Sequence, residues 1–329
     1  MSADPTIAVI MATRNGERWL ADQLASIARQ NRPPDRLVIS DDGSTDATRS
    51  IAQDFATQAP FPVEVVAGPG TGLADNFWSA AARADSDLVA WADQDDVWHP
   101  DKLARCERAL VEHDAVFVSH AAEVVDASMR PVGSRYPAYT RDAVLGPLEG
   151  DPWHVPSGFA SVFRAGLLDT VPFARRPRSH QTHRQMNHDH VVSLRAFAGG
   201  RRAELAEPLA RYRQHGHNAA GDPSVTGLAA LRRARSVGGD DYATLGEIAA
   251  EQGRFAAALP GSAPDTGGFF AALELRCARR ANVYDPGGVA AGARRLGQAA
   301  RAGVYRSRRR AGFGIPALGR DTAAVALGI

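Results

Sequence analysis

Four short, dominantly apolar runs in the first third of the chain constrain its fold more than any other feature: Ile7–Ala12, Leu37–Ser40, Val63–Val66 and Leu88–Ala92. The first and last are apolar on both faces of an extended backbone, as in a strand buried within a parallel sheet. Between the runs the apolar period lengthens to that of a helix. Glu17–Gln30 aligns Trp19, Leu20, Leu24 and Ile27, and Ala47–Gln58 and Ala74–Ala84 are helical as well. The alternation β-α-β-α-β-α-β with short connections predicts an α/β fold, a doubly wound and mainly parallel sheet. Such sheets bind ligands beyond the carboxyl ends of their strands. Three of those ends carry polar clusters: Thr13-Arg14-Asn15, Asp41-Asp42 and Asp93-Gln94-Asp95-Asp96.

From about Val116 the rhythm changes. Val116–Ser119, Glu123–Val125 and Ser161–Phe163 are expected as strands, Pro147–Pro156 as loop, and a His-rich segment, Ser179–His190, leads into a helix over Val191–Ala198. Beyond Gly221 the chain is helical and rich in Ala and Arg. The expected organisation is one α/β domain over 1–222, with a donor half to about 115 and an acceptor half from 116, followed by a helical Arg-rich region over 223–329. The formal net charge of +1 argues against a nucleic-acid partner. Lys102 is the sole lysine. Cys106 and Cys277 are far apart and form no metal-binding spacing, which suits a reducing compartment. Met1–Thr6 shows no signal-peptide pattern, and no apolar stretch approaches the roughly 20 residues that span a bilayer. A cytoplasmic location, with possible peripheral membrane contact, is the expectation.

Three carboxylates in four positions, Asp93, Asp95 and Asp96, repel one another unless a cation or donors compensate. Their hard oxygens suit Mg²⁺ or Mn²⁺, which bridge phosphates. The same spacing also suits a solvated turn capping the helix that starts near Pro100-Asp101. At Asp41-Asp42-Gly43-Ser44, a carboxylate can accept a hydrogen bond from a pyrimidine N–H, and the same residues can form a turn and cap. Gly68-Pro69-Gly70-Thr71-Gly72 lacks the Lys-Ser or Lys-Thr of a phosphate loop. His180, His183, His188 and His190 lack the pairing of a zinc site, and a segment facing an acceptor suits them better.

Together, Val9–Gly16, Ile39–Asp46, and Asp93-Gln94-Asp95-Asp96-Val97-Trp98 with Pro100-Asp101-Lys102-Leu103 resemble family 2 glycosyltransferases with the GT-A fold. The Asp-Gln-Asp-Asp-Val-Trp form, Asn187-His188-Asp189 and Tyr212–Asn218 are similar to the bacterial rhamnosyltransferase-like branch. The resemblance covers roughly residues 5 to 222, in the family's order.

It implies a nucleoside-diphosphate sugar donor held by Ala12, Thr13, Arg14, Asn15, Asp41, Asp42, Asn76, Asp93, Gln94, Asp96 and Arg213. Asp42 would meet the base and Asp41 support it. Many relatives carry an aromatic residue where Arg14 stands, and a guanidinium can also stack on a base. The metal, Mn²⁺ or Mg²⁺, would be held by Asp93, Asp95 and His215. Asp189 would be the general base, in preference to a cap of the helix from Val191. Trp153, Ser157, Gly158 and His188 would meet the acceptor, a glycan or lipid-linked sugar. The Arg-rich clusters Arg232–Arg235 and Arg306–Arg310 fit either an anionic membrane surface or a solvated helix face. The expected activity is an inverting transfer from dTDP-rhamnose or a UDP-sugar to a cell-surface polysaccharide or glycolipid. A nucleotidyltransferase and a non-catalytic sugar-nucleotide or glycan binder are the alternatives.

Overall fold

The computed structural model describes residues 4–215, 238–306, 313 and 315–327. Gly216-His217-Asn218, Arg232–Arg235 and Ser307–Arg310 lie outside the described residues.

The alternating segment forms β1 (Ile7–Thr13), α1 (Leu20–Ala28), β2 (Arg36–Asp41), α2 (Thr48–Gln58), β3 (Val63–Ala67), α3 (Leu73–Ala81) and β4 (Leu88–Ala92). There follow β5 (Val97–Trp98), α4 (Lys102–Glu112), β6 (Phe117–Val125), β7 (Pro131–Arg135), β8 (Ala143–Leu145), β9 (Ser161–Arg164), α5 (His188–Gly199) and β10 (Arg202–Arg213). The helical tail comprises α6 (Gly239–Ala257), α7 (Thr266–Ala281), α8 (Gly288–Arg301) and α9 (Ile315–Leu327).

One sheet runs in the order β3-β2-β1-β4-β9-β6-β10-β5, with β7 beside β6 and β8 beside β10. The first four strands are parallel, with Thr13 opposite Asp41 and Met11 opposite Ala92. This register brings the three polar clusters to one sheet edge. β9 enters antiparallel between β4 and β6. Alternate residues of β1 feed the two faces. Ile7, Val9 and Met11 pack with Leu20, Leu24, Ile27, Leu103 and Leu110, so α1, α2 and α4 cover one side. Ala8, Ile10 and Ala12 pack with Phe77, Ala80, Val192 and Ala196, so α3 and α5 cover the other. Full burial of each large aliphatic side chain contributes about 1.5–3 kcal/mol.

Two expected strands, Val116–Ser119 and Glu123–Val125, are one continuous strand, β6 over Phe117–Val125, because His120 and Ala121 are buried and paired with β10 and Ala122 is buried with them. α5 begins at His188, not Val191, which places Asp189 inside its first turn. Among the described residues no helix is long and apolar enough to cross a membrane.

Candidate active site

β1 and β2 deliver the first polar pair. Asp41 accepts hydrogen bonds from the Thr13 hydroxyl (3.3 Å) and from Ser44 through both its amide (3.0 Å) and its hydroxyl (2.5 Å), so its carboxylate is turned into the β2 turn. Asp42 accepts from the Gly70 amide at 2.6 Å, which draws the Gly68–Gly72 loop over the strand end. Gly68 has to be glycine: a Cβ there would stand 2.5 Å from Asn76 Oδ1 and 2.8 Å from Asp42 Oδ1. Asn76 donates to the Ser40 carbonyl (2.9 Å), and its own buried Oδ1 has no partner.

Gln94 lines the site and is tied to the backbone at the end of β1. Its amide is paired both ways with the Arg14 backbone, accepting at 2.9 Å and donating at 3.1 Å. It stitches the end of β4 to the end of β1.

The acidic cluster follows β4 directly. Asp93, Asp95 and Asp96 each offer an oxygen, all within 4.8 Å of one another. Burial, then Asp95, then Asp189 push the Asp93 carboxyl up to about 8, with Lys102 pulling it back. Asp96 is fully buried, and burial followed by Asp95 and Asp93 raises it well above the usual carboxylate range. Asp96 Oδ1 accepts from the Arg213 amide (3.0 Å), while Oδ2 is buried without a partner. Hard oxygens this close, under-neutralised and with one buried lone-pair donor unused, fit a divalent cation.

His215 and Arg213 come off the end of β10. His215 Nε2 meets Asp95 Oδ2 at 2.8 Å, so it stands beside the cluster. Arg213 does not face the cleft. It is 2% exposed and donates to the Asp95 carbonyl (2.9 Å), the Ala127 carbonyl (3.3 Å) and Asp22 (2.9 Å). It braces the site, and its directed hydrogen bonds leave it poorly placed to meet a diphosphate. Its guanidinium also lies 4.2 Å from the centre of the Trp19 ring, which stacks on His215 at 5.6 Å. Trp19 is a site residue that helical periodicity conceals, since its spacing is equally that of a core position.

Asp189 stands in the first turn of α5, and its charge raises the Asp93 carboxyl. Its Oδ2 accepts from the Gly158 amide (3.0 Å) and its Oδ1 from the His190 amide (2.9 Å). Burial alone would raise this carboxyl, but His190, His188 and the two amides outweigh it and hold it below the usual range. His188 is 4% exposed and stacks on Phe77 at 3.9 Å, edge-on to Trp91. Burial pushes its imidazole down to about 4, so it is a neutral core ring backing Asp189. Trp153 is half-buried and edge-on to His180 at 5.1 Å; Ser157 is half-buried beside it in sequence. Among the described residues, His180, His183, His188 and His190 form no metal-holding group.

A cleft of about 920 Å³ opens at the strand ends, and Asp189, His188, Trp153, Ser157 and Gly158 do not line it. Ala12, Thr13, Arg14, Asn15, Asp42, Asn76, Asp93, Gln94, Asp95 and His215 line it, with Arg18, Trp19 and Tyr212 added. Asp41, Asp96 and Arg213 do not line it and act through their neighbours.

Residues 8–171 match the family described as Glycosyl transferase family 2. The chain belongs to that family through this segment. It is similar to an uncharacterized glycosyltransferase of Nostoc sp., 29% identical over 216 residues, which are 64% of this chain and 66% of that protein. It is also similar to the dTDP-rhamnosyl transferase RfbG of Shigella flexneri, 34% identical over 110 residues, 32% of this chain and 38% of that one. The chain thus spans between about two-fifths and two-thirds of these relatives. Among solved structures, S. aureus TarS 1-349 in complex with UDP-GlcNAc matches with a TM-score of 0.56 at 17% identity, covering 98% of this chain and 92% of that one. That likeness is one of fold, and the fold is the GT-A glycosyltransferase architecture.

Proposed function

We propose that this family 2 chain is an inverting, metal-dependent glycosyltransferase acting on a nucleoside-diphosphate sugar. One observation carries the reading: Asp93, Asp95 and Asp96 each bring an oxygen within 4.8 Å of the others, and Asp93 and Asp95 line the same cleft as Asp42. Asp42 stands at the other part of the same cleft, where a pyrimidine N–H can meet it. A cation held by Asp93 and Asp95, with His215 adjoining, would supply charge neutralisation for a departing diphosphate. Asp189 keeps lone pairs free beyond its two amide bonds and is held ionised, so it can accept a proton from an acceptor hydroxyl.

The RfbG relative favours dTDP-rhamnose as the donor, with UDP-sugars next. The acceptor is a glycan or lipid-linked sugar of the cell surface, meeting the side near Trp153 and Ser157.

The test is a thermal-shift screen of nucleoside-diphosphate sugars with and without Mn²⁺. A donor that stabilises only with metal supports the function, and none doing so overturns it. With that donor, Asp189→Asn is expected to abolish transfer by about 10²–10⁴-fold while donor binding persists. Unchanged transfer would remove Asp189 as the base, and an absence of transfer in wild type would leave a sugar-nucleotide binder.

A further inference from the structure

The acidic cluster and Asp189 come from distant parts of the chain, and one buried side chain bonds the turn that holds Asp189 while its charge acts on Asp93 and Asp96. Lys102, the sole lysine among 38 basic residues, is fully buried at the start of α4. Its Nζ donates to the Phe159 carbonyl (2.5 Å) and lies 3.5 Å from the centre of the Trp98 ring. Phe159 is the middle residue of the tight turn Gly158–Ala160. The Gly158 amide of that turn is the one that holds Asp189, and the Ser161 hydroxyl closes the turn on the Gly158 carbonyl (2.8 Å). The Phe159 ring stacks on Tyr212, a cleft residue, at 4.6 Å.

Cys106 on its own helix, Asp96 and Asp93 beyond β4, and His120 on β6 interact with Lys102 through charge. A buried cation is costly unless such partners surround it. The position also explains its residue type. A compact ammonium on a flexible stem fits an enclosed site where a planar five-donor guanidinium has too many N–H groups to satisfy.

We propose that Lys102 is a positioning residue, tying the metal-holding carboxylates to the turn that holds Asp189 and so fixing the separation between the two sides of the site. The inference rests on the function proposed above for those carboxylates.

The sole lysine makes the test selective. In the full chain labelled with [13Cε]lysine, the lysine side-chain spectrum holds one signal. Titration with Mn²⁺ alone, with free Mn²⁺ followed by electron paramagnetic resonance, is expected to erase that signal at one equivalent, while Mg²⁺ leaves it visible. Bound Mn²⁺ with a sharp lysine signal overturns the proposal and leaves the metal site standing. No bound Mn²⁺ overturns the metal site, and with it the metal half of this proposal.

The other half has its own readout. In [15N]glycine-labelled protein, Asp189→Asn identifies the Gly158 amide as the cross-peak it displaces. Lys102→Met is expected to displace the same peak, and Lys102→Arg to bring it part of the way back. A Gly158 peak that ignores Lys102→Met overturns the tie whatever the metal result. Should Lys102→Met fail to fold, the wild-type titration decides.

Discussion

Between about pH 4 and 8 the folded chain keeps a proton on Asp93 that the unfolded chain has already released. The folded state then binds more protons than the unfolded one, so stability falls as pH rises through that window. Asp96, raised in the same direction, adds to the slope. Lys102 acts oppositely: burial pushes it down to about 7, so above that pH the unfolded chain holds the extra proton and the fall is offset. Thermal melts without metal are therefore expected to fall most steeply from about pH 5 to 7 and to level off above about pH 8, with Mn²⁺ raising the midpoint more at pH 8 than at pH 5. A metal-free midpoint that is flat or rising from pH 5 to 7 would show that the carboxylates are already compensated by the protein. At this scale the sequence carried chemistry but not orientation. Asp93, Asp95 and Asp42 are legible because a strand must end where they stand. The Arg213 direction is not, since a charge written in sequence does not say whether it meets solvent or three buried acceptors.

The elements meet at stitched seams, and Gly16 is where one such seam is tightest. A Cβ on Gly16 would stand 2.4 Å from Gln94 Oε1, the atom that accepts the Arg14 amide. Gly16→Ala must displace the Gln94 amide and undo the tie between β1 and β4. The expected cost is about 1–3 kcal/mol by urea denaturation, with weaker metal-dependent donor stabilisation. Gln94→Ala removes the same tie, so the double variant should lose less than the sum of the two singles. Strict additivity would mean the two changes act on different things. The four N-terminal strands and their helices were legible because two periods alternate cleanly there. β10 is not legible as a strand: its twelve residues include Pro208 and charged side chains, and its pairing with β6 shifts register around that proline. The start of α5 was hidden for a similar reason, since His188, Asp189 and His190 look like a polar loop until Phe77 and Trp91 are seen to enclose the first of them.

Across the whole molecule, the helical tail is joined to the α/β part through α5, the helix that carries Asp189. Phe197, Leu194 and Ala198 of α5 share a core with Ala249, Phe270 and Leu273 of α6 and α7. The Ala263 amide bonds the Ala198 carbonyl (2.9 Å), and Arg178 meets Glu251 at 2.8 Å. Further along, α7 and α9 are locked by a buried ion pair. Arg280 meets both oxygens of Asp321 at 2.8 and 2.9 Å, and the Tyr284 and Tyr305 hydroxyls donate to the same carboxylate at 2.7 Å each. Burial would raise the Asp321 carboxyl, but Arg280 and the tyrosines hold it below the usual range. Its contribution is therefore present above the ordinary carboxylate pKa and lost as pH falls through its depressed value. Removing one partner strands a buried charge, so Asp321→Asn or Arg280→Met is expected to cost about 3–5 kcal/mol in chemical denaturation. Replacing both, Arg280→Met with Asp321→Leu, removes the stranded charge and should recover most of that loss. None of these residues lines the donor cleft. The double variant should thus keep the metal-dependent donor shift of wild type, and a shift lost along with the ion pair would mean that the tail supports the cleft as well as α5.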